Sequence, residues 1–223
     1  MQEINLEIFT NNKWQLLKEV AHEHLSPTTL AEKTNTSLSN VIQQLKLLEA
    51  YGMVKKTKSL EHNSGKPKAI YSLSDEFVYG IMIKEGKAEK KYFKIDDYNR
   101  TLANILFSLN PDDMFFMLKF SFRYEDILRK CKSIGFIKST KDSIELFLIT
   151  DHVDEIRSKF SNIFIDDGHG HTKKIINWTH NEFEITDGLN RRDRYFLDML
   201  KNAQLLHDSG DILRKFKQKR DSI

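Results

Sequence analysis

Residues 28–54 read TTLAEKTNTSLSNVIQQLKLLEAYGMV, and they contain two short segments of helical periodicity separated by a polar break. Asn35, Thr36 and Ser37 form the break, because side chains of this type compete for backbone hydrogen bonds and interrupt helices. The second segment carries an apolar stripe and ends at Gly52, the residue type that often closes a helix. We expect this stripe to be buried; it consists of Leu38, Val41, Ile42, Leu45 and Leu48.

The sequence on either side of this stretch predicts one more helix before it and a β-hairpin after it. Ser26 and Pro27 predict the start of the second helix, since serine caps a helix and proline fits its first turn. Two strand-like segments, 53–58 and 68–73, flank a turn-rich tip at 63–67, which predicts a hairpin. The first helix is predicted from an apolar stripe of Trp14, Leu16, Leu17 and Val20.

This order of elements resembles the winged helix-turn-helix of ArsR-like and MarR-like transcriptional regulators, which are common in archaea and bacteria. The motifs that carry the resemblance are NNK at 11–13, LAEK at 30–33, SLSNV at 37–41 and LKLLEAYGMV at 45–54. The resemblance implies an archaeal-type DNA-binding domain over residues 1–74. Its recognition helix would be 37–51, in the major groove of double-stranded DNA, and its basic wing would be 55–68, on the phosphates.

The residues predicted to contact DNA are polar or basic. Short amide and hydroxyl groups on the third helix can reach base edges, whereas wing lysines can meet phosphates and release counterions. Residues 55–68 hold five lysines against Glu61, but residues 1–73 contain no arginine, so we expect modest affinity and a dimer on two half-sites. The predicted set is Thr28, Ser37, Ser39, Asn40, Gln43, Lys46, Lys58, His62, Lys66 and Lys68.

Composition limits the other classes of function. The net charge is only +3, so any nucleic-acid affinity has to come from local clustering. The single cysteine, Cys131, excludes an internal disulfide and a cysteine-based metal site, and its amphipathic surroundings predict a small core residue. No apolar run approaches the ~20 residues that span a bilayer, and the N-terminus does not resemble a signal peptide. We therefore expect a cytoplasmic protein without a membrane partner.

The rest of the chain predicts a mixture of helices and strands, and the whole chain is expected to be α+β. We assign residues 75–132 to a hairpin and helical connecting region that could dimerise, and residues 133–223 to a mixed α/β domain. The predicted strands are 77–83, 88–95, 134–138, 144–150, 163–165 and 174–178. The predicted helices are 97–108, 112–131, 152–160 and a long one at 193–207 that is followed by a basic tail.

The last third of the chain resembles the small nucleotidyltransferase domains that archaea often attach to winged helices. The stretches that carry this resemblance are STKDSIELFLITD at 139–151, KKIINWTHNEF at 173–183 and FLDMLKNAQLLHDSGDIL at 196–213. The family implies a Gly-Ser pair for nucleotide phosphates and an Asp-x-Asp for magnesium. Here Lys138 stands in place of the glycine before Ser139. At the position of the Asp-x-Asp motif, Glu145 is the one acid that remains. We therefore expect a degenerate domain without enzyme activity, metal or cofactor, which serves dimerisation or signal sensing.

Three other clusters have a plain structural interpretation. His169 and His171, with Asp166, Asp167 and His180, could imitate a metal site, but the spacing favours a surface loop. Arginines and lysines at 191–194 and 214–220 could touch an anionic ligand, but solvated charge is the favoured interpretation. Five large apolar residues are expected to form a domain core or a subunit interface: Phe115, Phe116, Met117, Phe120 and Phe122.

These features together predict a DNA-binding transcriptional regulator that acts as a homodimer, with an effector that the sequence does not identify. Two alternatives stay open. One is a nucleotidyltransferase-like enzyme that uses the winged helix to hold a partner, and the other is a protein-interaction module.

Overall fold

A computed structural model describes residues 11–58 and 69–222 of the chain. The chain divides after Ile95 into two compact units. Both units contain helices and strands, so the fold class is α+β, as predicted. Within the described ranges, no helix is long and apolar enough to cross a membrane.

The first unit contains three helices followed by two hairpins. Its elements are α1 (Asn11–His22), α2 (Pro27–Lys33), α3 (Leu38–Ala50), β1 (Val54–Lys58), β2 (Ala69–Leu73), β3 (Phe77–Lys84) and β4 (Lys87–Lys94). The predicted cap at Ser26 is confirmed, because Ser26 accepts from the backbone N–H of Thr29, and Ser37 also caps α3 by accepting from the backbone N–H of Asn40. Gly52 follows α3 with φ of 72°, a left-handed conformation that glycine adopts without strain.

The apolar stripe of α3 is narrower than predicted. Val41, Leu45 and Leu48 are fully buried and pack with residues of α1, α2 and the first hairpin. Leu38 and Ile42 remain 44% and 37% exposed, so the prediction that they are buried was wrong. Leu38 is the first residue of α3, beyond the packed part of the helix. Ile42 is rotated from Val41 by about 100° around the helix axis, which turns it away from the core.

A pair of backbone hydrogen bonds ties the link between α1 and α2 to the first hairpin. The N–H of Leu25 donates to the carbonyl oxygen of Tyr71 at 3.0 Å, and the N–H of Tyr71 donates to that of Leu25 at 2.8 Å. Both residues are buried. The helices and the hairpin are therefore joined by the backbone as well as by the core.

The second hairpin, β3–β4, belongs to the first unit, because Phe77, Tyr79 and Tyr92 pack against that unit's core. The helices that follow belong to the second unit. The region 75–132, assigned from the sequence to a connecting segment, is thus divided between the two units.

The second unit is a five-stranded sheet with helices on both faces. Its elements are α4 (Asp97–Ser108), α5 (Pro111–Arg123), α6 (Glu125–Leu128), β5 (Cys131–Ser139), β6 (Ser143–Thr150), α7 (Val153–Lys159), β7 (Ile163–Asp166), β8 (Thr172–His180), α8 (Glu182–Asn190), α9 (Arg194–Asn202), β9 (Gln204–Asp208) and α10 (Ile212–Asp221). The strand order is β7-β8-β6-β5-β9, and β6–β8 is a parallel pair, whereas the other neighbours are antiparallel. Alternate residues of β6 pack into two different cores. Leu146 and Leu148 belong to the core on one face of the sheet, and Phe147 and Ile149 belong to the core on the other.

The predictions of two long helices in this unit were wrong, because each segment is helical only in its first part. In the segment 112–131, α5 ends at Arg123, the short α6 follows, and β5 begins at Cys131. The segment 193–207 ends its helix at Asn202, because Ala203 is extended and Gln204–Asp208 pairs with β5 as a strand. The predicted basic tail is helix α10. Cys131 is buried in the core, as predicted.

Candidate nucleic-acid interface

The exposed flank of α3 carries three of the predicted DNA contacts. Ser39, Gln43 and Lys46 are exposed, and they follow one another at offsets of four and three residues. Such offsets place side chains on one face of a helix. This face lies opposite the buried side chains of Val41 and Leu45. The helix therefore presents a hydroxyl, an amide and an ammonium group in a row.

Two other predicted contacts on α3 have local hydrogen bonds. Ser37 caps the helix, and its Oγ lies 3.2 Å from the Oγ of Ser39. Asn40 is half-buried, and its Oδ1 accepts from Nε2 of Gln44 at 3.1 Å. Both side chains help to fix the start of α3, and the prediction that Asn40 points fully outward was too simple. Thr28, in the first turn of α2, is exposed as expected.

The described part of the predicted wing carries three exposed lysines. In β1, Val54 is buried, whereas Lys55, Lys56 and Lys58 are exposed, because the strand belongs to a two-stranded sheet. Within the described ranges, Lys46 and these three lysines form no ion pair with an acidic side chain. No carboxylate among the described residues therefore neutralises their charge. The other predicted wing residues, His62, Lys66 and Lys68, lie outside the described residues.

Exposed apolar side chains on α3 are a feature that the sequence reasoning missed. Leu38, Ile42 and Leu47 are 44%, 37% and 39% exposed. An apolar side chain can contact the thymine methyl group in a major groove, and it can equally meet a protein partner. Of these three residues, Leu47 alone lay outside the predicted buried stripe, so its exposure was the only one that the sequence could have indicated.

The residues predicted from the nucleotidyltransferase resemblance are engaged in local contacts. Oε1 of Glu145 lies 3.2 Å from Nζ of Lys138, and Oε2 accepts from Nε1 of Trp178 at 3.0 Å. Over the part of the chain that the structure describes, no group of three or more His, Cys, Asp or Glu side chains is placed to hold a metal ion.

The structure does not bring His171 and His180, which the sequence suggested as members of one metal cluster, close together. Asp167 accepts from the backbone N–H groups of His169 and His171, and these bonds hold the pKa of its carboxyl below the usual value. His180 lies at the other end of β8, so about 30 Å of extended chain separates it from His171. Its ring contacts Glu184 and Tyr195 at 2.9 and 2.8 Å instead.

A buried ion pair in the second unit was not visible in the sequence. Nζ of Lys173 lies 2.7 Å from Oδ1 of Asp113, and both side chains are 6% exposed. Lys173 also donates to Oγ of Ser139 at 2.8 Å, and that hydroxyl donates to Asp113. Burial alone would raise the pKa of Asp113, but hydrogen bonds from Lys173, Ser139 and Asn110 outweigh it and keep the pKa low. The cluster joins α5 to β5 and β8.

Comparison with known proteins gives one result for the first unit. A model of the family HVO_A0114 matches residues 8–75. The matched range begins before α1 and ends just after β2, so it takes in the three helices and the first hairpin. No curated protein matches the chain.

Proposed function

We propose that the chain is a DNA-binding transcriptional regulator whose first unit binds double-stranded DNA as a winged helix-turn-helix. The observation that supports this most is the exposed row of Ser39, Gln43 and Lys46 opposite the buried stripe of α3. A major groove about 12 Å wide admits one helix, and a helix with this distribution can enter it without losing its own core contacts.

The exposed side chains would contact different parts of the DNA, according to their chemistry. The Gln43 amide can make paired hydrogen bonds to adenine, and the Ser39 hydroxyl can donate to or accept from a base edge. Lys46 and the exposed lysines of β1 supply charge to the phosphates, which positions the protein without reading the sequence. Because the described readers include no arginine, most of the specificity would come from amide and hydroxyl contacts.

The proposal extends to the whole chain. The regulator is cytoplasmic and acts as a homodimer, since two recognition helices read two half-sites about 34 Å apart along one face of the duplex. The second unit serves dimerisation or signal sensing and performs no nucleotidyl transfer. Incubation with labelled nucleoside triphosphate and magnesium tests the last point, because turnover that Glu145→Gln abolishes would establish the enzyme instead.

Fluorescence anisotropy with genomic fragments from the chain's own upstream region tests DNA binding. We expect saturable binding to a short duplex, with an affinity that falls as salt rises, because phosphate contacts release counterions. Gln43→Ala should reduce the preference for that duplex over random DNA. Lys201→Ala, at an exposed position in the second unit, is the control and should bind like the wild type. Absence of binding at micromolar protein would contradict the proposal.

A protein partner is the second candidate, and the exposed Leu38, Ile42 and Leu47 favour it. Interfaces use apolar groups at their centre, whereas DNA contacts depend on polar and charged groups. The double variant Leu38→Ser/Ile42→Ser should leave the salt dependence of DNA binding intact if DNA is the partner. If the variant instead abolishes capture of a defined protein while Gln43→Ala does not, the protein-interaction function is the correct one.

A further inference from the structure

The distal half of the second hairpin, β3–β4, extends beyond the core of the first unit. Phe77 and Tyr79 of β3 pack against that core, but residues 81–91 are all exposed. Ile81, Met82 and Ile83 follow one another and are 52%, 42% and 81% exposed. A run of apolar residues on a surface is a fault unless it has a function, and a lone two-stranded hairpin is only marginally stable in water. This half of the hairpin would therefore be stabilised by a further contact.

The two strands of the hairpin are protected against pairing to different degrees. In β4, five of the eight residues are charged, and charged side chains are a common protection of an edge strand. β3 carries one charge, Lys84, at its end next to the loop. Among the described strands, β3 pairs with β4 alone, so its other edge has no strand neighbour. We call this the open edge, and it belongs to the strand that carries the apolar run.

The backbone groups on the open edge belong to Ile81 and Ile83. A two-residue loop joins Lys84 to Lys87, and these residues face each other in register, so they form the last hydrogen-bonded pair of the hairpin. Hydrogen-bonded and non-hydrogen-bonded pairs alternate along an antiparallel ladder. The backbone N–H and C=O of Met82 therefore point to β4, whereas those of Ile81 and Ile83 point to the open edge. These groups can pair with a further strand.

A second copy of the chain fits the open edge in register. When two β3 strands pair antiparallel around a two-fold axis at Met82, Ile81 of one protomer lies opposite Ile83 of its partner. These two side chains lie on the same face of the sheet, because residues two apart in a strand point the same way. Gly80 then lies opposite Lys84, so no like charges face each other. The strand is thus complementary to itself in both apolar pattern and charge.

We propose that the chain forms a homodimer in which the β3 strands of two copies pair at their open edges around Met82, so that two hairpins become one four-stranded sheet. The contact is isologous, as a two-fold axis requires. The choice of a second copy as the partner rests on the homodimer of the proposed function, and the contact lies in the first unit. The dimer would carry its two copies of α3 in the two-fold symmetry that paired half-sites need.

Sedimentation velocity of the full chain without DNA tests the dimer. We expect the wild type to sediment as a dimer at micromolar concentration. Met82→Lys places two ammonium groups opposite each other at the axis and removes an apolar contact, so it should raise the dimer dissociation constant at least about tenfold. In its own hairpin position 82 faces Glu89, so the hairpin itself should keep its fold. Ala88→Lys, at an exposed position on β4, is the matched control and should stay dimeric.

Two results overturn the proposal. A monomeric wild type excludes the dimer, and a Met82→Lys variant that dimerises like the wild type excludes the open edge as its location. Fluorescence anisotropy on the same preparation measures DNA binding separately. A wild type that binds a duplex as a monomer keeps the DNA-binding part of the proposed function and loses the dimer. A dimer that Met82→Lys breaks, but that binds no DNA, upholds the β3 contact and contradicts the regulator.

Cross-linking tests the register even when Met82→Lys does not fold. Met82 and its symmetry mate would form a non-hydrogen-bonded pair, whose Cα atoms lie about 4.5 Å apart, within the range that a disulfide spans. Met82→Cys should therefore give a covalent dimer on a non-reducing gel after mild oxidation. Ala88→Cys, one strand farther from the axis, should give none, and the native Cys131 is buried. A Met82→Cys chain that gives no more covalent dimer than Ala88→Cys overturns the register.

Discussion

The lysines of α3 and β1 in the first unit and three lysines on the sheet of the second unit are placed in different electrostatic surroundings. On α3 and β1 of the first unit, Lys46, Lys55, Lys56 and Lys58 are exposed and form no ion pair within the described ranges. On the sheet of the second unit, three lysines have carboxylate partners: Lys132 pairs with Asp151, Lys138 with Glu145 and Lys173 with Asp113. The difference shows that a net charge of +3 does not reveal where cations lack a local carboxylate partner.

The largest expected effect comes from breaking the one buried pair among these. Lys173→Met leaves the Asp113 carboxylate in a buried site with its main partner removed, and this should cost about 3–5 kcal/mol in the free energy of unfolding. Urea denaturation followed by circular dichroism measures it. Lys201→Met, at an exposed position, is the matched control and should stay within about 0.5 kcal/mol of the wild type. A loss below about 1 kcal/mol for Lys173→Met would mean that the pair is hydrated in solution.

The same pair predicts how stability changes in acid. The folded-state pKa of Asp113 lies below its unfolded value, so the stability it supplies is present above the unfolded pKa of about 3.9. That stability is lost as the pH falls through the folded pKa. Thermal unfolding between pH 7 and pH 2 should therefore show a steeper acid loss for the wild type than for Asp113→Asn. Parallel curves would assign the acid sensitivity to other carboxylates.

A smaller effect is expected at the exposed flank of α3, and it should appear in affinity and not in stability. Gln43→Ala removes a side chain that the core does not use, so the free energy of unfolding should change by less than about 0.5 kcal/mol. Binding to the preferred duplex should weaken by about 1–3 kcal/mol if Gln43 reads a base. Anisotropy and urea denaturation on the same preparation separate the two quantities. A large loss of stability would show that the flank is packed.

The smallest effect concerns the slope of affinity against salt. Lys56→Ser should reduce the slope of log K against log salt concentration by about 0.9, provided that Lys56 neutralises one phosphate. Lys138→Ser in the second unit should leave the slope unchanged, because that lysine already pairs with Glu145. Equal reductions in both variants would remove the contrast between paired and unpaired lysines.

The first unit was predictable from sequence because its signals are local. Ser26, Pro27, Ser37 and Gly52 each mark a helix end through contacts within a few residues, and the observed bounds follow them. The exposed positions of Ser39 and Lys46 follow from helical periodicity alone. The exposure of Leu38 and Ile42 does not, since it depends on which neighbouring elements reach them.

The second unit was less predictable because distant residues decide its structure. Gln204–Asp208 looks like the end of an amphipathic helix, but it becomes a strand because β5, about 70 residues earlier, offers an edge to pair with. Asp113 and Lys173 are 60 residues apart in the chain, and no local pattern joins them. Sequence periodicity therefore finds surfaces carried by one helix more readily than sites that a sheet assembles.

The backbone pairing of Leu25 with Tyr71 makes the hairpin depend on a residue that is not part of it. Proline at position 25 would remove the N–H that donates to Tyr71, and the pairing at the middle of β2 would lose one of its two bonds. The hairpin that carries the lysines of β1 would then be held to the helices by the remaining bond and by the core contacts of Val54 and Tyr71. The orientation of these lysines thus depends in part on a residue in the link between α1 and α2.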